Sequence, residues 1–196
     1  MVRVAVLVSG GGTNLQAIID AKAAGKIPSA ELALVLASND KAYALERAAK
    51  AGIPSEVLRK AKGEEPTLYG ERLLEVLRKH SIDLVVLAGF LTILPENVIR
   101  AYDHRILNVH PSLIPSFCGD GFYGLRVHEA ALAKGVKVTG ATIHFVNEIT
   151  DGGKIIMQKA VYIEDGDTPE ILQKRVMEQA EWEILPLAVE KVCSEI

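Results

Sequence analysis

The sequence predicts an α/β protein: a Rossmann-like, open and mostly parallel sheet with helices on both faces and an added antiparallel strand pair. Strand-length apolar runs alternate with helical periodicity over the first half of the chain. Leu84-Val85-Val86-Leu87 is apolar at every position, the pattern of a strand covered on both sides. Further on, strand-like runs at 136–146 and 155–163 flank the turn Asp151-Gly152-Gly153, which suits an antiparallel pair.

Taken in order, Val4-Ala5-Val6-Leu7-Val8 forms the first strand, and Ser9 with Gly10-Gly11-Gly12 breaks it before Leu15, Ile18 and Ile19 recur at helical spacing. Residues 32–36 repeat the strand signal. An alanine-rich helix over 43–51 ends at Gly52, and 54–58 make a short third strand. Leu73, Leu74 and Leu77 mark one face of a helix leading into the central strand, which Gly89 ends. Pro95 opens a short helix to about Tyr102, and 106–109 are the fifth strand. Residues 111–124 form a long connection rich in proline and glycine, and such connections inside a compact domain tend to carry function. A short helix over 127–133 follows it. Thr168 caps a last helix with Pro169 at its first position, running to about Val192.

Composition narrows the function. With 196 residues and 49% hydrophobic content the chain fits one domain, 1–196. The 22 basic and 25 acidic residues leave a net charge of −3 with both signs dispersed, which argues against nucleic-acid and membrane-surface partners. Cys118 and Cys193 lie far apart without CxxC spacing, so no disulfide framework or structural zinc is expected and a cytoplasmic location is. No run reaches membrane-span length, and no repeat is visible.

In an open parallel sheet, ligands gather beyond the carboxyl ends of the strands where strand order reverses. Three segments end there: 9–14, 89–94 and 108–110. Ser9-Gly10-Gly11-Gly12-Thr13-Asn14 sets small residues and two polar side chains at a helix start, where unpaired N–H groups favour a phosphate. It lacks the lysine of a P-loop and the third glycine of a dinucleotide fingerprint. A glycine turn required only by chain geometry is the alternative. Asn108 and His110, at i and i+2 on one strand, share a face, so an amide and an imidazole converge on whatever charge develops there. Asp151-Gly152-Gly153 by itself is a hairpin turn and gains meaning only beside His110. His144 either packs in the sheet or supports a polar network. His80, His104 and His128 flank helix ends among charged neighbours and are expected on the solvated surface. No HxH, HxxxH or HExxH spacing supports a metal site.

Four segments, in order, resemble the phosphoribosylglycinamide formyltransferase family: Ser9-Gly10-Gly11-Gly12-Thr13-Asn14, Leu87-Ala88-Gly89-Phe90, Asn108-Val109-His110-Pro111-Ser112-Leu113-Ile114-Pro115 and Asp151-Gly152-Gly153. The resemblance covers nearly the whole chain and implies the formyltransferase fold. The Asn-x-His-Pro-Ser-Leu-x-Pro signature is shared with methionyl-tRNA formyltransferase and formyltetrahydrofolate deformylase, so it points to fold and cofactor, while the N-terminal loop suits a small phosphorylated acceptor. The resemblance implies 10-formyltetrahydrofolate as co-substrate, phosphoribosylglycinamide as acceptor, and no metal. It assigns catalysis to Asn108, His110 and Asp151. It places Gly12, Thr13 and Asn14 on the phosphate, Glu181 on the ribose, and Leu91, Thr92, Ile93, Leu94, Asn108 and Asn147 on the folate, with His144 supporting. Many members carry arginine where Thr92 stands, and segment 117–124 is longer than in many members. On this basis Asp151 is expected to raise the pKa of His110. The partners expected are small molecules, with a homodimer left open. A hydrolase or a transferase for another amine would use the same residues. A binding protein without chemistry would leave Asn108, His110 and Asp151 apart.

Overall fold

The computed structural model describes residues 1–196. In β1 (Val2–Val8), period-two alternation sends Val4, Val6 and Val8 to one face of the sheet and Ala5 and Leu7 to the other, all fully buried. The same alternation runs through β4 (Leu84–Leu87) and through β2 (Ala30–Ala37), except that Ala33 and Leu34 join the same core where the β1–β2 register shifts. With β3 (Ser55–Val57), β5 (Ile106–His110), β6 (Val138–Phe145) and β7 (Ile155–Tyr162) these strands form a seven-stranded sheet in the order β3-β2-β1-β4-β5-β6-β7. The first five strands pair parallel, and β6 and β7 add antiparallel at one end.

Both faces are covered. α1 (Thr13–Ala23), α2 (Ala44–Lys50), α6 (Pro169–Val176) and α7 (Trp182–Glu195) close a core of 30 buried residues on one side. On the other, α3 (Pro66–Lys79) and α4 (Glu96–Ala101) close one of 18. α5 (Leu125–Lys134) lies against α6. No helix is long and apolar enough to cross a membrane.

From β1 the chain winds out to β2 and β3, then returns to β4 on the other side of β1, which makes a crevice between the carboxyl ends of β1 and β4. The loops leaving those strands are tied there. Ser9 N–H donates to the Gly89 carbonyl at 3.1 Å, and Leu91 N–H donates to Ser9 Oγ at 2.9 Å.

The C-terminal segment differs from the single helix expected over 168–192. Thr168 does cap α6, accepting from Ile171 N–H, but a π turn at Met177–Glu181 separates α6 from α7, with Trp182 N–H reaching back to the Met177 carbonyl. Pro186, inside α7, has no N–H to offer to the carbonyl of Trp182 four residues back, the first residue after the π turn.

Candidate active site

Strand register assembles the site. Asn108 and His110 project from β5 on one face, and pairing with β6 sets His144 directly opposite Asn108. His144 Nδ1 donates to the Phe145 carbonyl at 2.8 Å, and its Nε2 lies 3.1 Å from the Asn108 side-chain amide. A β-bulge between Ile143 and His144 in the β6–β7 pairing turns this part of the strand. Asp151 arrives on the loop joining β6 to β7. One of its oxygens, Oδ2, accepts from Gly119 N–H at 2.9 Å and lies 3.4 Å from His110 Nδ1, and the other, Oδ1, lies 3.5 Å from His144 Nε2. His110 Nε2 donates to the Phe117 carbonyl at 2.8 Å. The structure therefore brings together Asn108, His110, His144 and Asp151.

Burial and charge compete at this cluster. Burial disfavours the Asp151 carboxylate, but His144, the Gly119 N–H and the His110 charge outweigh it and hold the carboxyl below its ordinary range. For His110 the balance goes the other way. Burial lowers its pKa below the usual histidine value, and the opposing pull of Asp151 and the Phe117 carbonyl does not restore it. This corrects the expectation that Asp151 leaves His110 with a raised pKa: in the unliganded cleft the desolvation of a side chain only 4% exposed is the larger effect.

Across the cleft, Asn14 Nδ2 donates to Glu181 Oε2 at 2.6 Å, and both residues are buried. The π turn carries Glu181 to that position. Burial pushes the Glu181 carboxyl up, partly offset by Asn14. Asn14 Oδ1 is buried and has no protein partner. Gly12 takes a left-handed conformation, φ 71°, and a Cβ there would lie 2.7 Å from Ala44 Cβ, so only glycine lets α1 start this close to α2. No side chain caps α1, which leaves its first N–H groups without intrahelical partners.

A cleft of about 660 Å3 joins these groups. Asn14, Glu181, Asn108, His110, His144, Asp151, Asn147 and the stretch Leu91, Thr92, Ile93 and Leu94 all line it, whereas Gly12 and Thr13 do not. The Thr13 hydroxyl turns toward Met177 Sδ, and its side chain borders a separate hollow between α1 and α7. Leu91 and Ile93 stand largely exposed at the mouth, an unusual place for large apolar side chains unless a flat apolar ligand covers them. No lysine or arginine lines the cleft. No three His, Cys, Asp or Glu side chains form a group able to hold a metal ion.

Two contributions were not visible in sequence. Segment 117–124 supplies backbone groups to the site, the Phe117 carbonyl for His110 and the Gly119 N–H for Asp151, and Asp120 latches it to Thr150 at 3.0 Å. Its length drew attention, but backbone contacts leave no residue signature. His128, expected on the surface, is fully buried and lines the cleft. Its neighbours Arg126 and Glu129 are exposed, on the other side of the helix. The spacing of Val127, His128 and Ala131 on one helix stripe was the signal for its burial.

The formyl transferase family matches this chain over residues 2–189. The chain belongs to that family. The phosphoribosylglycinamide formyltransferase of Haemophilus influenzae is 39% identical over 96% of the chain and 86% of its own length. The chloroplastic phosphoribosylglycinamide formyltransferase of Arabidopsis thaliana is 41% identical over 98% of the chain, which spans 66% of that longer protein. Among solved structures, glycinamide ribonucleotide transformylase 1 from Symbiobacterium toebii superposes with a TM-score of 0.92 at 40% identity, covering 100% of this chain and 89% of that one. The family's sheet, parallel with an antiparallel pair at one end, is the sheet found here.

Proposed function

We propose that the chain, as one unit spanning residues 1–196, transfers the formyl group of 10-formyltetrahydrofolate to the amine of 5-phosphoribosylglycinamide. The observation that carries this reading is the meeting of Asn108, His110 and Asp151 at one end of a single cleft that has the Asn14–Glu181 acceptor pair at the other. The uncapped start of α1, with its glycine approach, suits a phosphate beside Asn14, the one residue of 12–14 that lines the cleft. Glu181, held by Asn14, suits the ribose hydroxyls, and the exposed Leu91 and Ile93 suit the folate.

In the reaction the amine nitrogen attacks the formyl carbon, a C–N bond forms and the carbonyl electrons move onto oxygen. Collapse re-forms the carbonyl and breaks the bond to folate N10, which takes up a proton as the amine gives one away. Asn108 and His110 stand to stabilise the oxygen, and no covalent enzyme nucleophile is required. Burial lowers the His110 pKa, and a developing oxyanion beside it adds a second negative charge to that of Asp151, which favours the imidazolium in the transition state.

The test is transformylation of phosphoribosylglycinamide with 10-formyltetrahydrofolate by the wild type and by His110→Ala. Formylated product with the wild type and a fall of about 10²–10³ in kcat for the variant are expected. Formate release without consumption of the amine would instead identify a hydrolase on the same residues. Formylation of a different amine would relocate the acceptor, and binding without turnover would remove catalysis altogether.

A further inference from the structure

Gly10-Gly11-Gly12, after β1, has no side chain of its own to fix it, and three glycines in succession have more backbone freedom than any other tripeptide. The structure nevertheless holds all three carbonyls. Gly10 accepts from Ala44 N–H at 3.2 Å, Gly11 from Arg47 Nε at 2.8 Å and Gly12 from Gln16 N–H at 2.9 Å. A planar trans peptide sets each carbonyl opposite the N–H of the next residue. Two carbonyls turned toward α2 therefore turn the N–H groups of Gly11 and Gly12 away from it, and the third projects the N–H of Thr13 beyond the start of α1. None of these three N–H groups has an acceptor within the protein. With Gly12 left-handed and Thr13 beginning the helix, the successive N–H groups form a concave nest suited to an anion.

Ala44 and Gln16 act through backbone N–H groups, which any residue but proline supplies. Arg47 acts through its side chain. Its Nη1 donates to Gln16 Oε1 at 2.9 Å, so one planar guanidinium ties the glycine loop to the first turn of α1. The ring of Tyr43, with its centroid 5.1 Å from Arg47 Cζ, packs against the guanidinium. Both acceptors are neutral, so these bonds leave the charge of Arg47 unneutralised behind the nest.

We infer that Arg47 is a positioning residue for the phosphate of the acceptor: it holds the Gly11 carbonyl so that the N–H groups of the loop face the phosphate before it arrives. The inference rests on the phosphate reading of this loop and names the side chain that builds the site. A loop already ordered does not have to be ordered by the ligand, and affinity for the phosphate rises accordingly. Arg47 touches no reacting atom, so its effect belongs to acceptor binding and not to the chemical step.

In transformylation, Arg47→Ala is expected to raise KM for phosphoribosylglycinamide about tenfold, the scale of one charge-assisted hydrogen bond, with kcat and KM for 10-formyltetrahydrofolate little changed. The preference for this acceptor over the same molecule without its phosphate, taken as a ratio of kcat/KM, is expected to fall by a similar factor. Arg47→Lys, which keeps the charge and a donor for the Gly11 carbonyl, is expected to recover much of the loss. An unchanged KM, an equal loss with both acceptors, or a loss that follows a lowered melting temperature would overturn the inference, because a general disturbance of α2 does not tell the two acceptors apart. A binding measurement separates Arg47 from the reaction. Ribose 5-phosphate titrated into the wild type is expected to shift the amide resonances of Gly11, Gly12 and Thr13, and to bind Arg47→Ala about tenfold more weakly. If the wild type shows this pattern but does not formylate the amine, the formyl-transfer reading fails and the role of Arg47 stands. If it formylates the amine but ribose 5-phosphate binds both proteins alike, the role of Arg47 fails and the formyl-transfer reading stands.

Discussion

At Asp151 a single carboxylate faces two imidazoles and one backbone N–H, in a left-handed backbone conformation (φ 54°) that aspartate and asparagine tolerate better than most residues. Asp151→Asn therefore keeps the backbone and removes only the charge. Without the carboxylate, the attraction that opposes burial at His110 is lost, and the imidazole pKa falls further. The acidic limb of the pH profile of kcat/KM is expected to move to lower pH, with kcat reduced by about 10²–10³. A profile whose limb stays in place would separate Asp151 from the titration of His110. Glu181→Gln at the other end of the cleft acts differently. It replaces the carboxyl by an amide while Asn14 keeps an acceptor to donate to, so KM for the amine substrate is expected to rise by about threefold to tenfold, in line with one hydrogen bond, with kcat less affected.

The site also depends on irregular elements. The π turn at Met177–Glu181 holds one more residue than an α-helical turn, and that extra residue sets the direction of Glu181. Inserting an alanine between Met177 and Glu178 is expected to overfill this turn and swing Glu181 away from Asn14 by roughly one residue's rotation, about 100°. Steady-state kinetics should then show a raised KM for the amine, and circular dichroism a folded protein. An unchanged KM would mean that Glu181 does not meet that substrate. The β6–β7 loop has a similar constraint at Gly153, where a Cβ would collide with the Phe145 carbonyl. Gly153→Ala is expected to cost about 1–3 kcal/mol of stability in urea unfolding and to lower kcat by displacing Asp151.

Across the whole molecule, the buried histidines give stability a pH dependence. His128 has a folded pKa of about 4 against an ordinary value of 6.5, so the unfolded chain binds its proton first. Stability from this group is complete above pH 6.5 and is lost as pH falls toward about 4, by roughly 3 kcal/mol in all. His110 shifts in the same direction. Glu181 opposes them, because its raised pKa stabilises the fold below the ordinary carboxylate range and loses that contribution as pH rises. His128→Leu removes one of these groups, so its urea midpoint is expected to fall less than that of the wild type between pH 7 and pH 4.5. Equal losses would mean that His128 titrates normally.

The sequence by itself determined the sheet, because a strand buried on both faces is apolar at every position and an apolar run such as Leu84–Leu87 has few other places to go. It also determined that Asn108 and His110 share a face, since that follows from the period of a strand alone, and it marked Asp151 through its glycine turn. Tertiary structure decided the protonation of His110, which depends on how much water the assembled cleft excludes rather than on which residue stands next to it. It decided that the Phe117 carbonyl and the Gly119 N–H orient the His110–Asp151 pair, because backbone groups are the same in every residue and only folding aims them. It also turned His128 inward and the Thr13 side chain away from the cleft. Spacing along a helix fixes which side chains share a stripe, but the neighbouring elements determine whether that stripe meets solvent, core or ligand.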